Sequence, residues 1–543
     1  MIPSPANVGE EEYNSKSRGL AASEAMERTS SPRKRVLTSD VTQIDFSYNY
    51  NIFKQAEELF REGRHRLRKG TKSYGWFGWT AVFLPCLHWL RRYRVREWLL
   101  PDILAGLSVG AMVIPQGMSY ANLAGVPNVY GLYGAFVPTL VYALLGSSRQ
   151  LAVGPVAVTS ILLGNSIPGI MSELGLPVNA NPNSPDDPEA QAVYDRVVIQ
   201  VAFLAGCIYT LVGLLRLGWI TSFLSHAVVS GFMTGASVQI ALSQVKYICG
   251  VSMSRQNPVQ DQLRSLVGAL GGFSWREFAM GMAFMALLLA FKAAAQRFPR
   301  LVLLRALGPL CVCALSIAVM NIFGLWDSPS AAQPYIKPIG AVPKGLPQVT
   351  VGWWFPLYLP GRQVVLAVLV ALIDLCESIS IAKALAQRNG YVLNSTQELR
   401  GLGIANLAGA AFNCYTTTGS FSRSAVNNAV GARTPLASAV TGVVVCFVLL
   451  FLTPVFAHMS QNAMGAIVIV GVLQLFDIQE AVFLFRVNFF DFLVWLVACA
   501  VVLFVGVEWG IAASVALSLL IFIFRSAFPA VQRLSPIPGT PFF

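Results

Sequence analysis

The chain has 543 residues, of which 55% are hydrophobic and 12% charged, with a mean hydropathy of +0.58. Such a composition excludes a soluble globular protein of this length and predicts a polytopic membrane protein with many apolar windows of about 20 residues. The net charge of +12 is no nucleic-acid signature, because Lys and Arg gather between and before the apolar runs, where membrane topology puts them.

Residues 1–75 are polar, with Ser and Thr around SPRKR (Ser31 to Arg35) and no apolar core of a signal peptide, which predicts a cytosolic tail, disordered at its start. Within it, IFKQAEELFREGRHRLRKG (Ile52 to Gly70) has helical periodicity, apolar at Ile52, Phe53, Ala56, Leu59, Phe60 and Leu67 and charged on the opposite face. Such a helix lies on the membrane, lies on a neighbouring subunit or is simply solvated; the pattern leaves all three open.

Basic residues crowd Arg61 to Arg96, through a pre-membrane segment at 76–98, directly before the first clear span, Pro101 to Leu123. The positive-inside rule therefore puts the N-terminus in the cytosol. About fourteen apolar segments follow by length and hydropathy. The loop between the third and fourth, Asn165 to Asp195, holds Glu173, Asp186, Asp187, Glu189 and Asp195 without Lys or Arg, as an outer loop should. Joins with Arg297, Arg300 and Arg305, with Lys383, Arg388 and Arg400, with Arg433 and with Arg486 fall on the cytosolic side of the same count. Arg525 and Arg533 flank the last span, which puts the C-terminus inside as well. The sequon Asn394-Ser395-Thr396 falls in a cytosolic join, away from glycosylation.

Two segments are too short to span about 30 Å of hydrocarbon at 1.5 Å per residue. One is LAVGPVAVTSILLG (Leu151 to Gly164), with Gly154-Pro155 placing a proline in the first helical turn, and the other is SFSRSAVNNAVGA (Ser420 to Ala432). They are the third and tenth segments. Short, interrupted segments at matching places in two halves point to an inverted repeat whose binding site lies at the midplane, where two half-helices begin.

Helix N-termini that converge there favour an anion. Arg423, in the first turn of the second half-helix, adds a full charge and planar donors, which suits an oxyanion. The competing reading is that Arg423 snorkels or pairs with a carboxylate to hold helices together. Its partner candidate is Glu377 in VALIDLCESISIAKALA (Val370 to Ala386), which shares a helix face with Asp374, Ser378 and Ile381. A Glu377–Arg423 pair is expected in the empty site. Protonating Glu377 would then remove its competition with an arriving anion, so that proton and anion bind with positive coupling. Glu377 as a fixed structural partner is the alternative, and for Asp374 helix-packing hydrogen bonds compete with a second proton-carrying role. Gln116 and Tyr120, four apart beside Pro115 in the first span, offer an amide and a phenol; Tyr120 is also placeable in an interfacial aromatic belt.

Nine cysteines lie mostly in apolar spans without CxxC or Cys/His spacing, and the four histidines form no HExxH, so neither a metal nor a cofactor is expected. The polar midplane residues form a clamp without a nucleophile and its base, which argues against an enzyme.

These motifs resemble the SulP family, the sulfate permeases and related anion exchangers, most closely its plant and algal proton-coupled sulfate transporters. The carrying stretches are AGLSVGAMVIPQGMSYANLAGVPNVYGLYGAFVP (Ala105 to Pro138), LAVGPVAVTS (Leu151 to Ser160), ALIDLCESISIAKALA (Ala371 to Ala386) and TTTGSFSRSAVNNAVGARTPLAS (Thr416 to Ser438), and the likeness covers about residues 85–543. It implies an all-α polytopic membrane protein with 14 transmembrane segments in a 7+7 inverted repeat. A core domain of 99–216 and 363–458 would move like an elevator against a gate domain of 217–330 and 459–528, with an extracytosolic loop at 331–362. Sulfate would lie between the half-helices, held by Arg423 and Ser422, by the backbone N–H groups of Val156 and Ala157, and by Gln116 and Tyr120. Glu377 would couple protons, with Asp374 as a weaker candidate.

The implied activity is proton:sulfate symport. The alternatives are a SulP-type exchanger of chloride, bicarbonate or oxalate and a sulfate-binding membrane sensor. Sulfate, protons and lipid are the expected partners, with no nucleic acid, and the resemblance implies a homodimer for the full-length protein. Residues 529–543 read as the start of the linker that leads to a cytosolic STAS domain in this family, and the chain stops within it. The acidic run Glu10 to Glu12 argues against an organellar transit peptide, which puts the plasma membrane ahead of the vacuole.

Overall fold

In a computed structural model, the described residues are 85–528, except 92, 180–181, 184, 218–225, 252–258, 298–301, 326–334, 341, 474–475 and 477. The N-terminal tail, the amphipathic helix expected over Ile52 to Gly70, residues 76–84 and 92 of the basic pre-membrane segment and the linker from 529 lie outside the described residues. Fourteen principal helices follow in chain order. The first seven are α1 (Val95–Ala124), α2 (Asn128–Leu145), α3 (Ala157–Glu173), α4 (Pro188–Leu214), α5 (His226–Cys249), α6 (Trp275–Arg297) and α7 (Val302–Ile322). The second seven are α8 (Pro360–Arg388), α9 (Ser395–Ala410), α10 (Phe421–Val430), α11 (Leu436–Phe447), α12 (Gln461–Val472), α13 (Phe489–Phe504) and α14 (Val507–Ala527).

Seven helices, α1, α2, α4, α5, α6, α8 and α11 with its irregular continuation to His458, are long and apolar enough to cross a bilayer. Shorter apolar stretches occupy α7, α12, α13 and α14. The outer face of α13 and α14 exposes Phe489, Phe490, Leu520, Phe522, Ile523 and Phe524. An apolar face of that extent suits lipid rather than water.

In each half the third helix is preceded by a two-residue strand: β1 (Val153–Gly154) before α3 and β2 (Thr418–Gly419) before α10. The strands pair antiparallel, Val153 opposite Gly419 and Gly154 opposite Thr418. The two halves therefore meet in opposite directions, which makes the fold a 7+7 inverted repeat.

The third segment differs from its expected form. The stretch Leu151 to Gly164 does not end a short helix, because α3 continues to Glu173. Asn165-Ser166 reads as the start of a loop, yet Ser166 Oγ donates to Leu162 O at 2.8 Å and hides its hydroxyl within the helix. At the far side Asp187 caps α4 by accepting from the N–H groups of Glu189 and Ala190, so the acidic loop is shorter than expected.

Two packed groups result. Helices α1–α4 and α8–α11 pack mainly on one another, while α5–α7 and α12–α14 form a second group that meets the first chiefly where α7 and α12 touch α1, and also where α5 touches α3 and α7 touches α10. Within the first group α4 and α9 are drawn together by glycines at helical spacing. A Cβ on Gly206 would lie 3.0 Å from Leu407 N, one on Gly403 2.5 Å from Thr210 Oγ1, and one on Gly213 2.8 Å from Arg400 Cγ. Absent side chains let the backbones approach, the usual source of helix association in lipid.

Two buried carboxylates tie loops to this group. Asp102 of α1 accepts from the N–H groups of Arg433 and Thr434 at 2.7 and 3.1 Å and from Thr434 Oγ1 at 2.6 Å. Glu398 of α9 accepts from Tyr142 Oη, from Ser147 N and Oγ and from Ser148 N. Both are buried carboxylates satisfied by neutral donors.

Candidate functional site

Side-chain caps separate the two half-helices from many of their neighbours. Helices α4, α9, α12 and α13 begin at Asp187, Asn394, Ser460 and Asn488, each of whose side chains accepts a backbone N–H of the first turn. Asn394, the sequon residue, is thus occupied as a cap. Helix α3 begins after Val156 and α10 after Ser420 without any side-chain cap. The first intrahelical bonds are Ser160 N to Val156 O and Ser424 N to Ser420 O, at 3.1 and 3.0 Å. The N–H groups of Ala157, Val158 and Thr159, and of Phe421, Ser422 and Arg423, precede those bonds at two positive helix ends.

The strand pair holds these ends in register, and side chains hold the strand pair. Thr139 of α2 donates to Val153 O at 3.0 Å. Gly419 N donates to Ser378 Oγ at 2.8 Å, and Ser378 and Thr418 share a hydroxyl contact of 2.5 Å. Asn406 of α9 brackets Thr417, accepting from its N–H and donating to its carbonyl, both at 2.8 Å. Ala152 N donates to Ser424 Oγ at 2.9 Å, linking the first strand's approach to the second half-helix. The backbone that leads into both half-helices, which lipid could not satisfy, is thereby paired from both halves.

Arg423 is fully buried. Its Nη2 donates to Pro155 O at 2.9 Å, its Nη1 approaches Gln116 Oε1 at 3.5 Å, and its Nε has no hydrogen-bond partner. Pro155 therefore does not sit in the first turn as expected: α3 starts at Ala157, and the proline carbonyl just before it anchors the guanidinium. Gly154 makes room for this, since a Cβ there would lie 3.3 Å from Arg423 Nη2 and 3.6 Å from Val113. A cation thus joins two positive helix ends, and among the described residues no carboxylate is within ion-pair distance of it.

Glu377 is buried on α8, and the expected direct pair with Arg423 is not formed. Its Oε2 has no hydrogen-bond partner, and it lines an apolar slot with Val228, Phe232 and Met233 of α5. Arg423 prefers the Pro155 carbonyl because that acceptor is fixed by the strand pair and already lies at the guanidinium. Glu377 still interacts electrostatically with both Arg423 and Asp374. Asp374, one turn earlier, accepts from Thr159 Oγ1 and so joins α8 to α3, as a packing hydrogen bond would.

The other predicted residues gather around the same point. Gln116 and Tyr120 are buried on α1, one helical turn apart. Ser422 is buried, with its hydroxyl 3.4 Å from that of Ser420, and Val156 and Ala157 are buried at the start of α3. Tyr415 was not anticipated. It is buried just ahead of the second strand, its Oη lies 3.2 Å from Ser160 Oγ, and it interacts with Arg423. Its place directly before three threonines and a glycine is the only trace it leaves in the sequence, and that context alone did not mark it.

A family model described as the sulfate permease family matches residues 99–498. The chain is 40% identical over 471 residues to "Probable sulfate transporter 4.2" of Arabidopsis thaliana, covering 86% of this chain and 65% of that protein. It is also 40% identical over 464 residues to "Sulfate transporter 4.1, chloroplastic" of Arabidopsis thaliana, covering 85% and 64%. The chain thus spans just under two thirds of the length of these curated relatives. Among solved structures, the murine Solute Carrier 26 family member A9 anion transporter in the inward-facing state superposes with a TM-score of 0.73 at 26% identity, covering 83% of this chain and 73% of that one.

Proposed function

The chain belongs to the sulfate permease family, and we propose that it is a secondary active transporter that carries sulfate together with protons. The observation that carries this reading is the fully buried Arg423 between two uncapped helix N-termini, with no carboxylate among the described residues in ion-pair contact. A tetrahedral dianion between those ends would accept from the first-turn N–H groups, from the guanidinium and from Ser422, Gln116 and Tyr120. The names of the two plant relatives support sulfate as that dianion.

Proton coupling rests on Glu377. An ionised Glu377 would repel sulfate from within electrostatic reach of Arg423, and a neutral one would not. Moving two negative charges against 100 mV costs about 4.6 kcal/mol. One proton entering with them recovers about 2.3 kcal/mol from the potential and about 1.4 kcal/mol from one pH unit. A single proton falls short and two suffice, which supports Asp374, one turn from Glu377, as the second carrier. In this reading α1–α4 and α8–α11, which the expected ranges 99–216 and 363–458 cover but for the first turns of α1 and α8, form the moving core. The helices within 217–330 and 459–528 form the gate, the basic ends of the spans face the cytosol, and the core carries its site past the gate.

Two membranes fit this reading. The plasma membrane follows from the acidic N-terminal run, and an organellar envelope is supported by likeness to the relative named chloroplastic; a fluorescent fusion distinguishes them. Radiolabelled sulfate flux in proteoliposomes tests the transport reading. Uptake should require an inward proton gradient. Uptake driven instead by chloride or bicarbonate on the opposite face would establish an exchanger, and tight sulfate binding without flux would establish a sensor.

A further inference from the structure

The two sides of the site along α1 are unlike. Met112 and Gln116 line a cleft enclosing about 450 Å³, including its mouth, together with Phe291 of α6 and Pro309 of α7, among others. Gln116 and Tyr120 mark the site itself, where a Cβ on Gly471 of α12 would lie 3.8 Å from Tyr120 Oη and 4.0 Å from Gln116 Nε2. Asn122 follows, about 9 Å beyond Gln116 at 1.5 Å per residue. On that side the two packed groups are joined: Tyr247 Oη of α5 donates to Asn122 Oδ1 at 2.8 Å.

Both partners of this bond are braced from behind. Asn462, in the first turn of α12, donates to Tyr247 O at 2.8 Å and to Glu277 O of α6 at 3.0 Å, which ties the tyrosine to two helices of its own group. Gly465, one turn further along α12, lets the tyrosine lie close, since a Cβ there would be 3.2 Å from Tyr247 Cβ. Asn122 sits in the last turn of α1, where Gly125 N donates to Asn122 O at 3.1 Å and Gly125 O accepts from Gln191 Nε2 of α4 at 3.0 Å. The loop between α7 and α8 fastens to both groups on this same side. Gln461 N donates to Lys337 O at 3.1 Å and Ile339 N to Met459 O at 2.8 Å, at the start of α12. Thr350 N donates to Ala411 O at 2.8 Å and Gln200 Nε2 of α4 to Trp353 O at 2.9 Å, on the other group.

We propose that Tyr247 is a gating residue, whose bond to Asn122 is a releasable latch that closes the site on the face where α1 ends. The inference deepens the sulfate transport reading and rests on it. Both side chains are half-buried, so water takes over their hydrogen bonds once the groups part. Opening then exchanges one neutral hydrogen bond for others, which shifts an equilibrium by about two- to tenfold. A charged pair in the same place would hold more strongly and slow every cycle. The braces keep the tyrosine and the asparagine poised to close again. Apparent affinity on a face falls with the fraction of molecules open to it, so a broken latch is read as tighter apparent binding on the face it closes.

Sulfate half-saturation is measured on each face of oriented proteoliposomes holding the full chain, with sidedness read from tryptic cleavage after the exposed Lys344, which lies between the two fastenings of the loop. Tyr247→Phe, which removes only the hydroxyl, should lower half-saturation about two- to tenfold on the face where α1 ends and change the opposite face by less than about twofold. Asn122→Leu, which removes the acceptor and tests the bond should the phenylalanine variant misfold, should do the same. The double variant should go no further than either single one, because both remove one bond, whereas two unrelated packing losses would add. Equal half-saturation in all four proteins, an equal shift on both faces, a rise on the face where α1 ends, or additive effects in the double variant overturns the proposal. Absent flux from the unmodified protein overturns the transport reading and this inference with it; normal flux with Tyr247→Phe and Asn122→Leu both unaltered overturns this inference alone.

Discussion

Replacing Arg423 by alanine removes the positive centre of the site with little cost to the fold. One of its N–H groups is committed to Pro155 O, while Nε is unpartnered and Nη1 makes only a 3.5 Å approach to Gln116. Two of its three nitrogens, Nε and Nη1, therefore remain to face a ligand, counted here as one bond each. Charge-assisted hydrogen bonds contribute about 1.5–3 kcal/mol each, so two contribute about 3–6 kcal/mol. At about 1.4 kcal/mol per decade, Arg423→Ala should weaken sulfate binding by about two to four orders of magnitude. The structural loss is the single bond to Pro155 O, worth about 1–3 kcal/mol, because the strand pair and Asn406 hold the surrounding backbone without the arginine. Calorimetry of sulfate binding to the detergent-purified variant, alongside its thermal unfolding curve, separates the two effects. Arg423→Lys should recover only part of the affinity, since a point charge replaces the fork. A folded Arg423→Ala protein that binds sulfate as tightly as the unmodified chain would refute the placement of the anion.

Three further outcomes follow from the same geometry. Glu377→Gln imitates the protonated side chain, so sulfate uptake should lose its pH dependence and run at neutral pH as the unmodified protein runs in acid; a retained acid optimum would remove Glu377 from the coupling. Gly154→Val pushes a branched side chain onto the guanidinium, whose Nη2 is 3.3 Å from even the first added carbon, and should cost at least about tenfold in sulfate affinity, or about 1.4 kcal/mol. Gly403→Leu wedges the α4–α9 seam, where an added Cβ meets the backbone N of Thr210 at 2.6 Å, and should lower stability by about 1–3 kcal/mol in thermal unfolding.

The parts of this site that were legible in the sequence are those that break a membrane rule. Short segments with serine, glycine and proline, and a guanidinium within one of them, violate the demand for continuous apolar helices, and both half-helices and Arg423 follow from that violation. About fourteen segments were legible through apolar length and loop charge, and their 7+7 arrangement came with the family resemblance. Partnership was harder to read. Glu377 and Arg423 are opposite charges on neighbouring helices, yet a rigid carbonyl at Pro155 takes the guanidinium, and hydropathy carries no trace of a backbone acceptor. The strand pair was invisible because two residues are too few for a period of two to register. Asn406 and Tyr415 looked like ordinary loop and helix residues, since their roles depend on contacts within the assembled fold. The true length of α3 was hidden by Ser166, whose hydroxyl bonds inside its own helix.

The strand pair also sets a schedule for synthesis. Val153 and Gly154 emerge about 260 residues before Thr418 and Gly419, roughly fifteen seconds to a minute of translation at about 5–20 residues per second. Throughout that interval Thr139 can already reach Val153 O, but the first strand's remaining backbone groups lack the partners that Thr418 and Gly419 supply, and in lipid each unpaired group costs several kcal/mol. The first seven helices must therefore wait in a watery or chaperoned setting within the insertion machinery, and the binding site comes into being only when the tenth helix arrives. Separately produced halves of the chain should accordingly be inactive alone and regain function only when they are made together.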